Sequence, residues 1–305
     1  MHDLMELVRF CVPRTSAMAR YVHLVVLGAV HGNEPCGAEA IARMIADIRS
    51  QKITLTCGTV TFVPIANPRA YAQGVRFIDR NLNRHLYPKA ALQDYEDGLD
   101  APLCALLDEA DYLLDIHSYQ SQGGAFCFLG TSSTEEIAFA RALNVPTYIY
   151  GWAEAFSRDA SEEQKQASLG TTDRVRANKR GACAVTLECG HHNNPDNADI
   201  AYDAMLRAMH HVGMVDIMPY DPVGYATQKC IQMHSVYYKE REGALVQPWQ
   251  HGDRVALGQV IACYADGTEI RAPKDGVLVL PKTTTDHALG SEWFYFGEEV
   301  AFPKI

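Results

Sequence analysis

The segment Tyr21-Val22-His23-Leu24-Val25-Val26-Leu27-Gly28-Ala29-Val30-His31-Gly32-Asn33-Glu34-Pro35 constrains the fold more than any other part of the chain. An apolar run of strand length ends in a histidine and a glutamate three residues apart. The next residues are periodic at helical spacing, with Ala38, Ile41, Ile45 and Ile48 on one face. Pro35 suits the first helical turn, where its missing N–H costs nothing. A strand that feeds directly into a helix is the unit of an α/β sheet, and such sheets bind ligands beyond the carboxyl ends of their parallel strands. His31 and Glu34 are therefore expected on a strand-to-helix turn, within reach of one point in space.

From Tyr21 to roughly Val215, further strand-like runs alternate with helical patterns. Thr59–Ala66, Tyr112–His117 and Ala182–Glu188 read as strands, and Glu135–Leu143, Ala153–Ser168 and Asp199–Val212 read as helices. The alternation predicts an α/β layer fold, a mixed and largely parallel sheet with helices on both faces. After Pro219 the pattern changes to short strands, Cys230–Tyr238, Gly258–Tyr264, Glu269–Ala272, Gly276–Leu280 and Trp293–Phe296, with turn residues between them. This predicts a small all-β C-terminal domain, a barrel or sandwich. With the boundary near Asp221-Pro222, the domains are 1–220 and 221–305.

A chain of 305 residues, 48% hydrophobic and 21% charged, is ordinary for a globular protein, so disorder and fibrous readings fall away. A net charge of −10 without a Lys/Arg run argues against nucleic acid as a partner. No stretch approaches transmembrane length, and the N-terminal residues lack a signal-like apolar core, so no membrane is expected. Nine cysteines with no Cys-x-x-Cys pair, mostly in apolar segments, read as reduced thiols of a cytoplasmic protein.

Three predicted strand ends carry chemistry. The first has His31 and Glu34, the second has His117 with Asp115 on the same strand face, and the third has Glu188 followed by Gly190. Two histidines and one carboxylate make the protein ligand set of hydrolytic zinc sites, with a fourth position for water. A further carboxylate is what such a site needs to move protons. Asp115 is a candidate acceptor for the outer N–H of a ligand histidine. Between the first two ends lies Arg76-Phe77-Ile78-Asp79-Arg80-Asn81-Leu82-Asn83-Arg84, three arginines and two asparagines in nine residues. An arginine fork binds carboxylate bidentately, and a second arginine can steady an oxyanion. A solvated loop with surface ion pairs is the plainer reading of such a cluster.

His31-Gly-Asn-Glu34, Arg76, Asn81-Leu-Asn83-Arg84, Asp115-Ile-His117 and Leu187-Glu188-Cys-Gly190, in this order, resemble the succinylglutamate desuccinylase/aspartoacylase family, a branch of the zinc carboxypeptidase-like superfamily. The resemblance spans most of residues 21–200 and extends to a C-terminal β domain. It implies that His31, Glu34 and His117 hold one zinc ion per chain and that Glu188 handles the proton. It further implies that Arg76 polarises the scissile carbonyl, while Asn83 and Arg84 hold a substrate carboxylate. Two departures stand out. Members commonly have Asp where this chain has Asn81, which removes a negative charge beside Arg84. Aspartoacylases also use an arginine shortly before the catalytic glutamate, where this chain has Asn178 flanked by Arg176 and Arg180.

The expected activity is zinc-dependent hydrolysis of the amide bond of a small anionic N-acyl amino acid or related carboxylated amide. The acyl group and the amine are left open, as is a homo-oligomer. The alternatives are a carboxypeptidase-like hydrolase of short or cell-wall peptides and a non-catalytic metal-binding module. His191 and His192 either line the cleft or lie in a surface loop. Cys189 is expected to pack away from the cleft, and Gly123-Gly124 to form a turn.

Overall fold

The protein is described here by a computed structural model covering residues 4–14, 21–130, 133–157, 168–177, 182–217, 227–283 and 288–302. Its main sheet has eleven strands. Strands β1 (Val8–Cys11), β2 (His23–Leu27), β3 (Thr59–Val63), β4 (Tyr112–Tyr119), β5 (Phe126–Phe128), β6 (Thr147–Tyr150) and β7 (Cys183–His191) come from the first two thirds of the chain. They lie in the order β1-β3-β2-β4-β7-β5-β6. Strands β3, β2, β4 and β7 run parallel, β5 is antiparallel to β7, and β1 is antiparallel to β3.

Alternation along the central strands explains the layers. Leu24, Val26, Leu114, Ile116, Val185 and Leu187 point to one face, where they pack with Ile41 and Met44 of α1 (Cys36–Arg49). Helices α4 (Thr134–Ala142) and α7 (Asn197–His211) complete that layer. Val25, Leu27, Leu113 and Ala184 point to the other face, against Leu103 and Leu107 of α3 (Asp97–Glu109) and Val175 of α6 (Thr171–Arg176). Two short helices, α2 (Pro68–Gln73) and α5 (Trp152–Ser157), lie between strands in sequence. Period-2 side chains thus feed two cores at once, which gives a mixed sheet with helices on both faces.

The C-terminal strands do not close into a separate barrel. Strand β8 (Lys229–Tyr238) pairs parallel with β6, and β14 (Glu292–Val300), β13 (Gly276–Val279) and β10 (Arg254–Val255) extend the same sheet. Strands β9 (Gly243–Leu245), β11 (Val260–Tyr264) and β12 (Glu269–Arg271) form a second sheet. Trp249, Ile261, Leu278, Trp293 and Phe296 share the core of this region, as a sandwich requires. The physical reason for the continuation is the exposed edge of β6, which β8 covers. The domain boundary expected at 220/221 lies outside the described residues. Among the described residues no helix is long and apolar enough to cross a membrane.

Candidate active site

Four chain segments meet at the carboxyl ends of β2, β4 and β7. The turn after β2 carries His31 and Glu34 and leads straight into α1, whose first turn holds Glu39 and whose last turn holds Arg49, as the helix dipole favours. Gly32 is required there: a Cβ would lie 2.0 Å from the backbone carbon of Ala70. The Gly32 N–H donates to the Arg76 carbonyl at 3.2 Å, which ties the arginine segment to the turn.

His31, Glu34 and His117 come together, all buried, with one ligand atom from each within 4.8 Å of the others. His31 Nδ1 lies 3.0 Å from Glu34 Oε1, and His117 Nδ1 lies 2.8 Å from Glu34 Oε2. The outer nitrogen of His31 meets an acceptor in hydrogen-bond geometry, while that of His117 lies within ion-pair reach of Asp115 and, like Asp115 Oδ1, has no hydrogen-bond partner among the described residues. His31 Nε2 lies 2.9 Å from Asn81 Oδ1, and His117 Nε2 lies 3.0 Å from Asp115 Oδ1. With the proton of each ring on its outer nitrogen, both Nδ1 atoms would carry lone pairs, and these two atoms are 3.2 Å apart. Lone pairs brought that close repel unless something positive lies between them. The donor set therefore fits a borderline-soft divalent cation such as zinc.

Burial holds the His31 imidazole neutral, its pKa lowered to about 4. Burial opposes charge on His117 as well, but Asp115 and Glu34 outweigh it and raise that pKa well above the usual value. For Glu34 burial favours the neutral acid, and the two histidines overcome it, so the carboxyl is held well below its ordinary range. The site prefers one positive charge among these groups. With no cation at the cluster, a proton on His117 supplies that positive charge.

Glu188 is in register with His117 across the β4–β7 pair and so on the same sheet face. Its Oε2 is enclosed and without a hydrogen-bond partner among the described residues. Burial pushes its pKa up to about 8, with His117 opposing and Glu34 reinforcing the shift. Beyond it the ladder slips, because Tyr119 pairs with His191, so β7 carries an extra residue opposite Ser118. Ser118 Oγ then meets His192 Nδ1 at 2.7 Å, and the Ser118 N–H donates to Glu34 Oε2 at 3.2 Å.

Arg76 Nη1 donates to Glu34 Oε1 at 2.8 Å with its side chain half-exposed, so it borders the cluster. Asn83 is turned partly inward: its Oδ1 accepts from the Thr171 N–H at 2.8 Å. Arg84 Nη1 donates to the Asn83 carbonyl at 2.7 Å, and its charge reaches Tyr295 on β14. The segment between is held by Glu96, which is fully buried and accepts from the N–H groups of Ile78, Asp79 and Arg80 and from Asn67 Nδ2. Arg176 is committed elsewhere, to Glu136 at 3.1 Å and the Ala184 carbonyl at 2.6 Å, while Asn178 and Arg180 lie outside the described residues. Cys189 is buried in the core on the α1 side, and Gly123 and Gly124 lie in irregular chain, not a turn, with Gly123 at φ +150° and close to His251.

Asn81, Ser118, Glu96 and Thr171 are site residues that the motifs did not single out as such. Asn81 stood in the sequence only as a departure. Its amide oxygen supplies a neutral acceptor to His31, and the same oxygen accepts the Asn83 N–H at 2.9 Å.

An α/β sheet with a buried two-histidine, one-carboxylate cluster at its strand ends that could hold a metal ion, and a buried glutamate on the next strand, is the arrangement found in metallohydrolase-like folds. The chain belongs to the succinylglutamate desuccinylase/aspartoacylase family, whose catalytic-domain model matches residues 21–212. A succinylglutamate desuccinylase of Shewanella piezotolerans is 39% identical over 101 residues, 33% of this chain and 28% of that protein. The match thus spans under a third of that relative. Among solved structures, a succinylglutamate desuccinylase/aspartoacylase from Rhodobacter sphaeroides is similar with a TM-score of 0.73 and 18% identity, covering 92% of this chain and 86% of the other. A product-bound ectoine utilization protein from Ruegeria pomeroyi gives a TM-score of 0.70 at 20% identity, covering 91% and 85%. At these identities the structures share the fold.

Proposed function

We propose that this family hydrolase is zinc-dependent and cleaves the amide bond of a small anionic N-acyl amino acid or related carboxylated amide. The observation that carries the reading is the buried His31–Glu34–His117 cluster with Glu188 in register beside it. Zinc bound by those three side chains supplies a Lewis acid and a lowered water pKa. Glu188 takes the proton of the attacking water and returns it to the departing amine, a task suited to a carboxyl whose proton affinity is raised. Arg76 donates to the oxygen of the acyl carbonyl as negative charge develops there. Asn83, through its amide N–H groups, and Arg84, through its guanidinium, hold the substrate carboxylate. All nine cysteines are unpaired thiols, which supports a cytoplasmic setting.

The test is a screen of the zinc-loaded protein against N-acetyl, N-succinyl and N-formyl amino acids and plain dipeptides, read as release of free amine. Turnover of one N-acyl class above the dipeptides is the expected result. Preference for dipeptides, or no turnover of any member, would overturn the reading.

A further inference from the structure

Thr171 stands between the two halves of the site, in contact with both Asn83 and Asp115. It begins α6 and is buried, 1% exposed. Its N–H donates to Asn83 Oδ1 at 2.8 Å, and its hydroxyl lies 3.2 Å from the same oxygen and against Asp115 Oδ2. A hydroxyl has one proton to give. Asp115 Oδ2 is the nearer acceptor, and Asn83 Oδ1 is already served by the Thr171 N–H. The hydroxyl proton therefore goes to Asp115. The other Asp115 oxygen lies 3.0 Å from His117 Nε2, an ion-pair contact outside hydrogen-bond geometry. Asn83, Thr171, Asp115 and His117 thus form one chain of contacts, from the segment that carries Arg84 to a ligand imidazole. The residue before Thr171 closes the fit: a Cβ on Gly170 would fall 2.2 Å from Asn83 Oδ1 and 2.8 Å from the Asn83 carbonyl oxygen.

Asp115 is fully buried, so it has no water to replace a missing donor. Without the hydroxyl, Oδ2 is short of a partner and the carboxylate is free to turn off His117. The imidazole then loses the carboxylate that stands 3.0 Å behind it and favours Nδ1 facing inward. We propose that Thr171 is a positioning residue for the cation site, holding Asp115 and so His117 through its hydroxyl while its N–H sets Asn83. This rests on the cation-site reading above.

The test needs no substrate. Zinc affinity is measured on the full chain by competition with a chromophoric chelator, for wild type, Thr171→Val and Thr171→Ser. Loss of an outer partner of a ligand histidine typically costs 10–100-fold in metal affinity, so Thr171→Val is expected to bind about tenfold more weakly. Thr171→Ser, which keeps the hydroxyl, is expected to bind close to wild type. Thr171→Ala replaces the valine variant in the comparison if the latter does not fold. In an Asp115→Asn background the same substitution at Thr171 should cost no further affinity. Equal affinity of wild type and Thr171→Val, or an undiminished loss in the Asp115→Asn background, overturns the proposal. Failure of wild type to take up zinc overturns the cation-site reading itself, and the inference with it.

Discussion

Glu188 and the two arginines carry the most exposed parts of the account at the scale of single residues. An amide at position 188 cannot accept a proton from water or pass one on, and such steps are worth roughly 10²–10⁴-fold. Glu188→Gln is therefore expected to keep its cation and its fold while kcat falls by about that range, checked by steady-state kinetics beside elemental analysis. Near-normal kcat would move the proton transfer to another group. Arg76 and Arg84 should fail differently. Arg76 borders the cation ligands, so Arg76→Ala should act mainly on kcat. Arg84 lies toward β14, so Arg84→Ala should chiefly raise KM, and Arg84→Lys should restore charge without the fork. Wild-type kinetics in both alanine variants would make this segment a scaffold only. His31, Glu34, His117 and Glu188 were legible in the sequence because each ends an apolar run where an α/β sheet presents ligands. Asn81 and Thr171 were not, since their contacts with His31 and Asp115 span 50 and 56 residues and follow no periodicity.

At the scale of elements, the segment from Arg76 to Arg84 keeps its shape through Glu96 at the start of α3, not through hydrogen bonds of its own secondary structure. Three consecutive N–H groups converge on that one carboxylate. Arg80 is fixed beside it by Asp97 and Asp100. Glu96→Ala removes the acceptor of these three part-buried N–H groups and of the buried Asn67 amide, at about 1–3 kcal/mol for each group left buried and unsatisfied. The expected outcome is a loss of about 3 kcal/mol in urea unfolding together with a raised KM. An unchanged midpoint and KM would show that the segment holds itself. Helix α3 escaped the sequence reading because buried Asp97 and Asp100 and the internal Pro102 break its apolar stripe. Strands β5 and β6, at three and four residues, are too short for alternation to show. The long central strands showed it plainly, which is why the layer order could be read in advance.

At the scale of the whole molecule, the C-terminal strands are bound into the site-bearing sheet. The pairing of β6 with β8 joins segments some eighty residues apart in sequence, and nothing local in either strand signals it. The second junction is His251, which stacks on Phe126 at 4.4 Å and meets Tyr119 edge-on at 5.6 Å. Burial lowers its pKa to about 3. In the unfolded chain a histidine titrates near 6.5, so below that pH the unfolded state binds the extra proton. His251 thus leaves stability untouched above about pH 6.5 and withdraws it as pH falls toward about 3, by at most about 1.4 kcal/mol per pH unit. Urea unfolding between pH 7 and 4 is expected to show a shallower decline for His251→Gln than for wild type, and identical slopes would remove His251 from the balance. The central claim is that His31, Glu34 and His117 hold one zinc ion per chain and so make the family fold a hydrolase. Elemental analysis of wild type and His117→Ala, both folded and purified without chelator, tests it most directly. About one zinc per wild-type chain is expected, as the one such cluster among the described residues implies, and little in the variant; full zinc in His117→Ala, or none in wild type, would contradict this.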